Sequence, residues 1–215
     1  MNKLSVRVID ILESIDTLEV PLGDSELHFK RDEIIKEIII PKEFNTVWYL
    51  DDGKVLDIQC VIDTSQVNGS IKIISSMNNN LLFHLGISNE GDSRIDLINQ
   101  VVGDNNNSEI LVRVVSKSDC KIFLKATGYL ADNTHNNTYL EDIKYLNEYP
   151  SSITCLPELI VLSDDVSASH NMTVGNISEE ELFYLESRGI SSDKAREMIR
   201  NSFLLSMKRR EVSDE

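Results

Sequence analysis

His170 is the side chain of this sequence best suited to bind a metal ion or to transfer a proton. Neutral imidazole is a good ligand for soft and borderline metals, and it titrates near neutral pH. His170 lies in the run Ser-His-Asn-Met-Thr-Val-Gly, after the final predicted strand and before a predicted helix. Cys155 is a second candidate, since a cysteine thiolate is a metal ligand. The structural alternatives are a histidine that bonds backbone carbonyls at a corner and a cysteine buried as a small apolar side chain.

The other ionisable residues form no recognisable catalytic group. Asp164 and Asp165 are adjacent, and adjacent strand residues point to opposite faces, so a turn is favoured over a shared acid–base pair. His28, His84 and His135 have no metal-ligand spacing to one another. The sequence also lacks the Gly-x-x-x-x-Gly-Lys-Ser/Thr, Gly-x-Ser-x-Gly and His-Glu-x-x-His motifs. We therefore do not expect the chain itself to be an ATPase.

The composition is that of an acidic globular protein. The 215 residues carry a net charge of −15 and a pI near 4.6, and 41% of them are hydrophobic. Such a chain is repelled by phosphate backbones and anionic membranes, so no nucleic-acid partner and no membrane contact are expected. No stretch approaches the roughly 18 apolar residues of a membrane span, and no secretory signal is visible. Cys60, Cys120 and Cys155 are widely spaced and odd in number, which favours a reducing, cytoplasmic location over a disulfide framework.

Short strands dominate most of the sequence. Residues 1–43 hold short β-like pieces, and residues 44–166 read as serial strands separated by turns. The run Leu111–Val114 alternates clearly, which indicates a strand with one buried face. No long segment of helical period interrupts the middle zone, which disfavours alternating β/α folds. The pattern leaves a sandwich, a barrel and a β-helix open, and the Asn-rich turns fit either stacked solenoid corners or plain loops.

Residues 167–215 hold the histidine-containing loop and a helical region with clear capping signals. A first helix is predicted over residues 178–188, because Ser178 and Glu181 form a capping box. Gly189 can stop this helix in the left-handed conformation, and a second helix is predicted to end near residue 208. So short a pair must dock on the β core or on another protein. The apolar side chains expected at such a contact are Leu182, Phe183, Leu185 and Phe203.

The C-terminal third combines several unusual motifs in a fixed order. They are Pro157, Asp164-Asp165-Val166, Ser169-His170, Thr173-Val174-Gly175, and Leu-Phe-Tyr-Leu followed by Ser-Arg-Gly-Ile. In these motifs the chain resembles the SufB/SufD family, the scaffolds of the SUF system for iron–sulfur cluster assembly. The resemblance is strongest over residues 157–203 and weaker back to Lys121. It implies a mainly β protein with a right-handed parallel β-helix (solenoid) core and a C-terminal two-helix unit.

The resemblance also implies a function. Family members are scaffolds without turnover of their own, so the chain would be no enzyme and would carry a transient iron–sulfur cluster. It would bind a SufC-like ABC ATPase through the four apolar helix residues named above. It would also form a homodimer or a heterodimer with a paralogous scaffold. His170 would be a metal ligand of the cluster-assembly interface, with Cys155 as a second residue there.

Several positions depart from the family pattern. Ala168 stands where SufD-like chains often have a cysteine, and Asn171 stands where SufB-like chains often have a glutamate. Cys155 lies two residues before the motif proline, whereas Ser151 occupies the register of the SufB-type cysteine. One alternative is therefore a degenerate scaffold that keeps only the ATPase contact. Another is a carbohydrate-active β-helix enzyme, which would need paired carboxylates or basic residues along one groove.

Overall fold

The protein is described by a computed structural model that covers residues 6–64, 66–148 and 151–206. Alternating apolar and polar residues form strands, and these pair in parallel throughout the described ranges. The chain winds into a parallel β-solenoid with two helices near the C-terminus. The predicted fold class is confirmed.

Each coil of the solenoid contributes one strand to each of two facing sheets. The seven-stranded sheet contains, in order of pairing, β1 (Arg7–Ile11), β3 (Gly23–Phe29), β6 (Glu43–Leu50), β8 (Asn68–Ser75), β10 (Ser93–Val101), β12 (Lys121–Leu130) and β14 (Ser152–Val161). The six-stranded sheet contains β15 (Asp165–Asn176), β13 (His135–Asn147), β11 (Asn107–Ser116), β9 (Asn80–Asn89), β7 (Val55–Thr64) and β4 (Glu33–Ile35). A short third sheet pairs β2 (Thr17–Glu19) with β5 (Glu37–Ile39).

The coils lengthen along the chain. In the first coil Arg7 pairs with Ser25, whereas near the other end Ala126 pairs with Pro157, a much larger separation in sequence. The extra residues lengthen the strands and the corners between them. Because the coils are unequal, the fold has no fixed sequence period, which explains why no strict repeat is visible in the sequence.

The solenoid extends beyond the interval 44–166 on both sides. Strands β1, β3 and β4, which precede residue 44, join the same two sheets as the later strands. The histidine-containing run, expected as a loop at the start of residues 167–215, is part of strand β15. It is extended because the edge of β13 pairs with it in register, from Asn137 opposite Val166 to Asn147 opposite Asn176.

Apolar side chains fill the lumen between the two large sheets. Parallel pairing in register stacks them into rows along the solenoid axis, and each row draws one side chain from each coil. The six-stranded sheet supplies the buried row Ile35, Ile58, Phe83 and Ile110, and the seven-stranded sheet supplies Leu27, Trp48 and Ile73. Burying a side chain of this size contributes roughly 1.5–3 kcal/mol, so these rows are the main source of stability.

A ladder of buried asparagines closes one corner of the solenoid. The N–H of Asn79 donates to Asn106 Oδ1 at 3.0 Å, and the N–H of Asn106 donates to Asn137 Oδ1 at 2.8 Å. The side-chain Nδ2 of Asn106 also donates to the backbone carbonyls of Ser76 and Gly103. The Asn-rich turns are therefore stacked corners, one of the two interpretations that the sequence left open.

Helices α1 (Glu179–Ser187) and α2 (Ser192–Leu205) follow the last strand. Ser178 caps α1 by accepting a bond from the Glu181 N–H at 3.3 Å, and Gly189 adopts a φ of 85°, as the capping signals predicted. The second helix was predicted to run to residue 208, and its last two positions lie outside the described residues.

Helix α2 packs on the outer face of the six-stranded sheet. Leu204 is buried in a small cluster with Val115 and Leu146 of that face. Arg200 donates to both carboxylate oxygens of Glu148 at 2.6 and 2.7 Å, which ties the helix to the end of β13. The two-helix unit is thus anchored on its own β core through α2.

We predict that Asn106→Ala lowers the free energy of unfolding by about 2–4 kcal/mol, because it removes the acceptor of the Asn79 N–H and the donor to the Ser76 carbonyl in a buried corner. Asn107→Ala is the matched control, since the Asn107 amide bonds Asn80 on the exposed surface. The control should change stability by less than about 0.5 kcal/mol. Urea denaturation of both variants measures the difference, and equal small losses would contradict the importance of the ladder.

Candidate functional site

Two ionisable side chains continue an otherwise apolar row of the lumen. Beyond Ile110 of β11, the row passes to Glu141 of β13 and then to His170 of β15, which is the register partner of Glu141. Alternate residues of a strand share a face, so both side chains point to the lumen side of the sheet. Glu141 is only 1% exposed, whereas His170 is exposed in the last coil. We call this last coil, formed by β14 and β15, together with Glu141 of the neighbouring strand β13, the open end.

Tyr139, two residues earlier on the same face of β13, holds Glu141 in place. The Tyr139 hydroxyl donates to Glu141 Oε2 at 2.8 Å, and both side chains are buried. The Tyr139 ring lies against Gly128 on the opposite sheet, where a Cβ atom would come within 2.5 Å of the ring. The glycine therefore leaves the space that the ring occupies, and the ring in turn brings its hydroxyl to the carboxyl group.

The burial of Glu141 shapes the electrostatics of the open end. Burial raises the pKa of Glu141 above its ordinary value of 4.5, and the bond from Tyr139 and the nearby His170 oppose this rise. Burial and the adjacent Glu141 carboxyl raise the pKa of Tyr139 well above 10. The tyrosine hydroxyl therefore remains a hydrogen-bond donor across the physiological pH range.

Cys155 faces the same end from the seven-stranded sheet. It lies in β14 opposite Leu124 of β12, half-buried against the lumen core. Burial, with a smaller effect from Glu141, raises the pKa of Cys155 to about 11. Cys155 is therefore a thiol at neutral pH, and a metal ion would have to displace its proton. The structure brings Cys155 and His170, both named by the sequence analysis, to the two walls of one open end, where each interacts electrostatically with Glu141.

The described residues of one chain do not form a complete metal site. Among the described residues, no group of three His, Cys, Asp or Glu side chains is positioned to hold a metal ion. The open end thus gathers three different donor types without converging them on a single point. Any metal held there would need further ligands.

The open end also presents unsatisfied sheet edges. In the described part of the chain, β14 and β15 are the terminal strands of their sheets, and β15 is 12 residues long. Exposed apolar side chains lie along these edges, namely Leu156, Val161, Met172 and Val174. A long edge strand offers a row of N–H and C=O groups that another chain can pair with.

Asn171, next to His170, has a structural role on the outer face of the same strand. Its amide donates to Asp142 Oδ1 at 2.9 Å, while Arg113 donates to Asp142 Oδ2 at 2.6 Å. These bonds join β15, β13 and β11 across the sheet. At the position where SufB-like chains often carry a glutamate, this chain therefore has a link between neighbouring strands.

The four helix residues expected at a partner contact differ in exposure. Phe183 is 72% exposed, Leu185 and Phe203 are half-buried, and Leu182 is buried. A groove of about 660 Å³ runs between the helices, and its apolar lining consists of Leu146, Tyr184, Leu185, Met198, Ile199 and Phe203. Leu182 therefore fixes α1, while Phe183 and the groove are accessible. No helix in the described ranges is long and apolar enough to cross a membrane.

The sequence analysis missed Glu141, Tyr139 and Gly128. Two features of the sequence could have indicated these residues. One is the carboxylate two residues after a tyrosine in a strand, and the other is a glycine inside another strand. A glycine inside a strand often marks a place where another group approaches the backbone closely. The opposite face of β13 has a similar composition, with the apolar Leu140 and the acidic Asp142. Local alternation therefore did not reveal which face of β13 lines the lumen.

The region that carries the open end also matches a known protein family. Residues 75–203 match the description "SUF system FeS cluster assembly, SufBD core domain". The match covers most of the solenoid, including β14 and β15, and nearly all of the two-helix unit. The chain belongs to the SufB/SufD family.

Individual relatives agree with the family match. An iron–sulfur cluster assembly SufBD family protein of Methanothermobacter thermautotrophicus is 32% identical over 130 residues, which is 59% of this chain and 31% of the relative. The iron–sulfur cluster assembly protein SufB of Bacillus subtilis is 33% identical over 103 residues, which is 46% of this chain and 22% of the relative. The chain thus matches less than a third of the length of these curated relatives.

We predict that Glu141→Gln becomes more stable relative to the wild type as the pH rises above about 4.5. A carboxyl group whose pKa is raised in the folded state stabilises the fold below its unfolded pKa, and this stabilisation is lost as the pH rises through the folded pKa. Glutamine does not ionise and still accepts the bond from Tyr139. The difference in the free energy of unfolding should grow by about 1.4 kcal/mol for each unit of the pKa rise.

Glu158→Gln is the matched control for this titration. Glu158 is exposed, and bonds from Lys125 and Thr127 lower its pKa, so its ionised form stabilises the fold above pH 4.5. Its replacement should therefore produce a change of the opposite sign with pH. Urea denaturation between about pH 3 and 8 measures both variants, because the change for Glu158→Gln lies below pH 4.5 and that for Glu141→Gln above it. A difference for Glu141→Gln that stays constant with pH would contradict the raised pKa.

Proposed function

We propose that this chain is a cytoplasmic scaffold subunit of a SUF-type iron–sulfur cluster assembly complex, without catalytic turnover of its own. The observation that carries the proposal is the open end, where Cys155, Glu141 and His170 gather inside the region that matches the SufBD core domain. Two of its relatives are named as iron–sulfur cluster assembly proteins. Thiolate sulfur and imidazole nitrogen are donors that iron accepts, and carboxylate oxygen is a third common metal ligand.

Iron and sulfide are the cargo of the open end. His170 is exposed and accessible to iron from solvent, whereas the Cys155 thiol, with a pKa of about 11, must release its proton when a metal binds. A stable cluster requires several thiolates at short range. A single half-buried thiol at this end of the chain therefore supports a cluster that is held transiently and passed on.

A second scaffold chain supplies the remaining ligands. The edge of β15 is long enough for extended pairing with another copy or with a paralogous scaffold. Exposed Leu156, Met172 and Val174 add apolar area to such a contact. Pairing at this edge brings donors from two chains to one interface, which offsets the incomplete ligand set of each chain.

A SufC-like ABC ATPase binds the two-helix unit. Phe183 and the apolar groove beside it are accessible, while the buried Leu182 keeps α1 in position. Movement of the ATPase would reach the β core through α2, whose Arg200 is paired with Glu148 at the end of β13. Strand β13 carries Glu141, so ATP-driven motion has a direct structural route to the open end.

We predict that Phe183→Glu lowers the affinity for a SufC-like ATPase by roughly tenfold or more, because a buried aromatic anchor contributes at least about 2 kcal/mol to a typical interface. Leu22→Glu is the matched control, since Leu22 is equally exposed, at 72%, but lies far from the helices in the sequence. Calorimetric titration measures both affinities, and circular dichroism checks the fold. Unchanged binding by Phe183→Glu would exclude this face as the ATPase site.

We predict that His170→Ala folds, dimerises and binds the ATPase like the wild type, yet accumulates less iron and sulfide. An exposed histidine contributes little to stability, so a loss of cargo would reflect chemistry at the interface. The measurement is iron and sulfide content per folded dimer after anaerobic reconstitution, with His135→Ala as the control at an exposed corner. Equal content in His170→Ala and the wild type would return His170 to a structural role, whereas a wild type that accumulates no iron and sulfide would favour the degenerate scaffold that keeps only the ATPase contact.

A further inference from the structure

Buried polar side chains line a small cavity in the lumen next to the open end. Asn99 of β10 is 4% exposed and Glu141 is 1% exposed. Within the described residues, the two amide atoms of Asn99 and Oε1 of Glu141 have no hydrogen-bond partner. A cavity of about 10 Å³ is lined by both side chains and by Tyr139. The apolar row of the seven-stranded sheet, which includes Trp48 and Ile73, gives way to a polar residue at this point.

The size and the lining of the cavity select its occupant. Each buried polar atom without a partner costs about 1–3 kcal/mol. An apolar occupant would leave these atoms unpaired and would therefore destabilise the fold. A hard cation such as Ca²⁺ or Mg²⁺ would need about six or more oxygen ligands, more than this cavity offers. The volume is about the smallest that holds one water molecule, and a buried water typically makes about three hydrogen bonds. Asn99 Nδ2 can donate to it, and Glu141 Oε1 and the Tyr139 hydroxyl oxygen can accept from it.

We propose that this cavity is a binding site for one ordered water molecule that bridges Asn99 and Glu141. The site does not rest on the function proposed above. It extends the polar part of the lumen from the open end down to β10, across more than one coil. It also gives the Glu141 carboxyl a fixed contact on each oxygen, with Tyr139 on Oε2 and the water on Oε1. The carboxyl group near Cys155 and His170 is thereby held from two sides.

Asn99→Leu tests the proposal by the sign of its effect. Leucine has a similar volume and no polar side-chain atoms. If the cavity is dry, the substitution removes two unpaired polar atoms and raises the melting temperature. With the bridging water, it leaves Glu141 Oε1 unpaired and lowers the melting temperature by several degrees, since about 1 kcal/mol corresponds to roughly 2–4 °C in a chain of this size. We expect the decrease, and an increase would overturn the proposal.

Three further measurements make the result independent of a folding defect in one variant. Asn99→Ser keeps a hydroxyl and leaves room for water, so its melting temperature should fall less than that of Asn99→Leu. In the double variant Asn99→Leu/Glu141→Leu, the shift should be smaller than the sum of the single shifts, because the bridged groups are removed together. A crystal structure of the wild type at better than about 2 Å should show the water within hydrogen-bond distance of both side chains. A dry cavity or additive shifts would overturn the site.

Discussion

The parallel stacking of each coil on the coil before it is the interaction on which the rest of this structure depends. Parallel pairing in register places one side chain from every coil into a common row, and the apolar rows of the lumen follow directly. Stability in such an arrangement is close to a sum of contacts between nearest neighbours. A row can therefore change its chemistry locally. The row that is apolar at Ile58, Phe83 and Ile110 carries Glu141 and His170 in the next two coils while the core below stays packed.

The elements that depend on local sequence were predicted well. The Ser178 cap and the Gly189 stop are made within a few residues, so both helices could be predicted from the sequence. The solenoid could not be predicted from periodicity, because the sequence separation of register partners at Arg7 differs widely from that at Ala126. The resemblance of the C-terminal motifs to the SufB/SufD family supplied the architecture that the pattern left open.

The candidate site could be predicted only in part, for a related reason. His170 and Cys155 were found because their side chains have few roles other than chemistry or burial, and one of them stands in a recognisable motif. Glu141 was not found, because its importance comes from its register opposite His170 and from the Tyr139 bond. The place of the tyrosine ring depends in turn on a glycine in the other sheet. Contacts between successive coils join residues that are far apart in the chain, so they leave no mark in a local window of sequence.

The asparagine corner has a direction along the chain. The N–H of Lys54 bonds the side chain of Asn79, the N–H of Asn79 bonds Asn106, and the N–H of Asn106 bonds Asn137. In every case the accepting side chain belongs to the coil that is synthesised later. The ribosome releases the N-terminus of a chain first. The backbone N–H at the newest corner therefore lacks its side-chain acceptor until the next coil is synthesised. Each new coil completes its predecessor, so the side chains of the open end come into place only after the coils before them have formed.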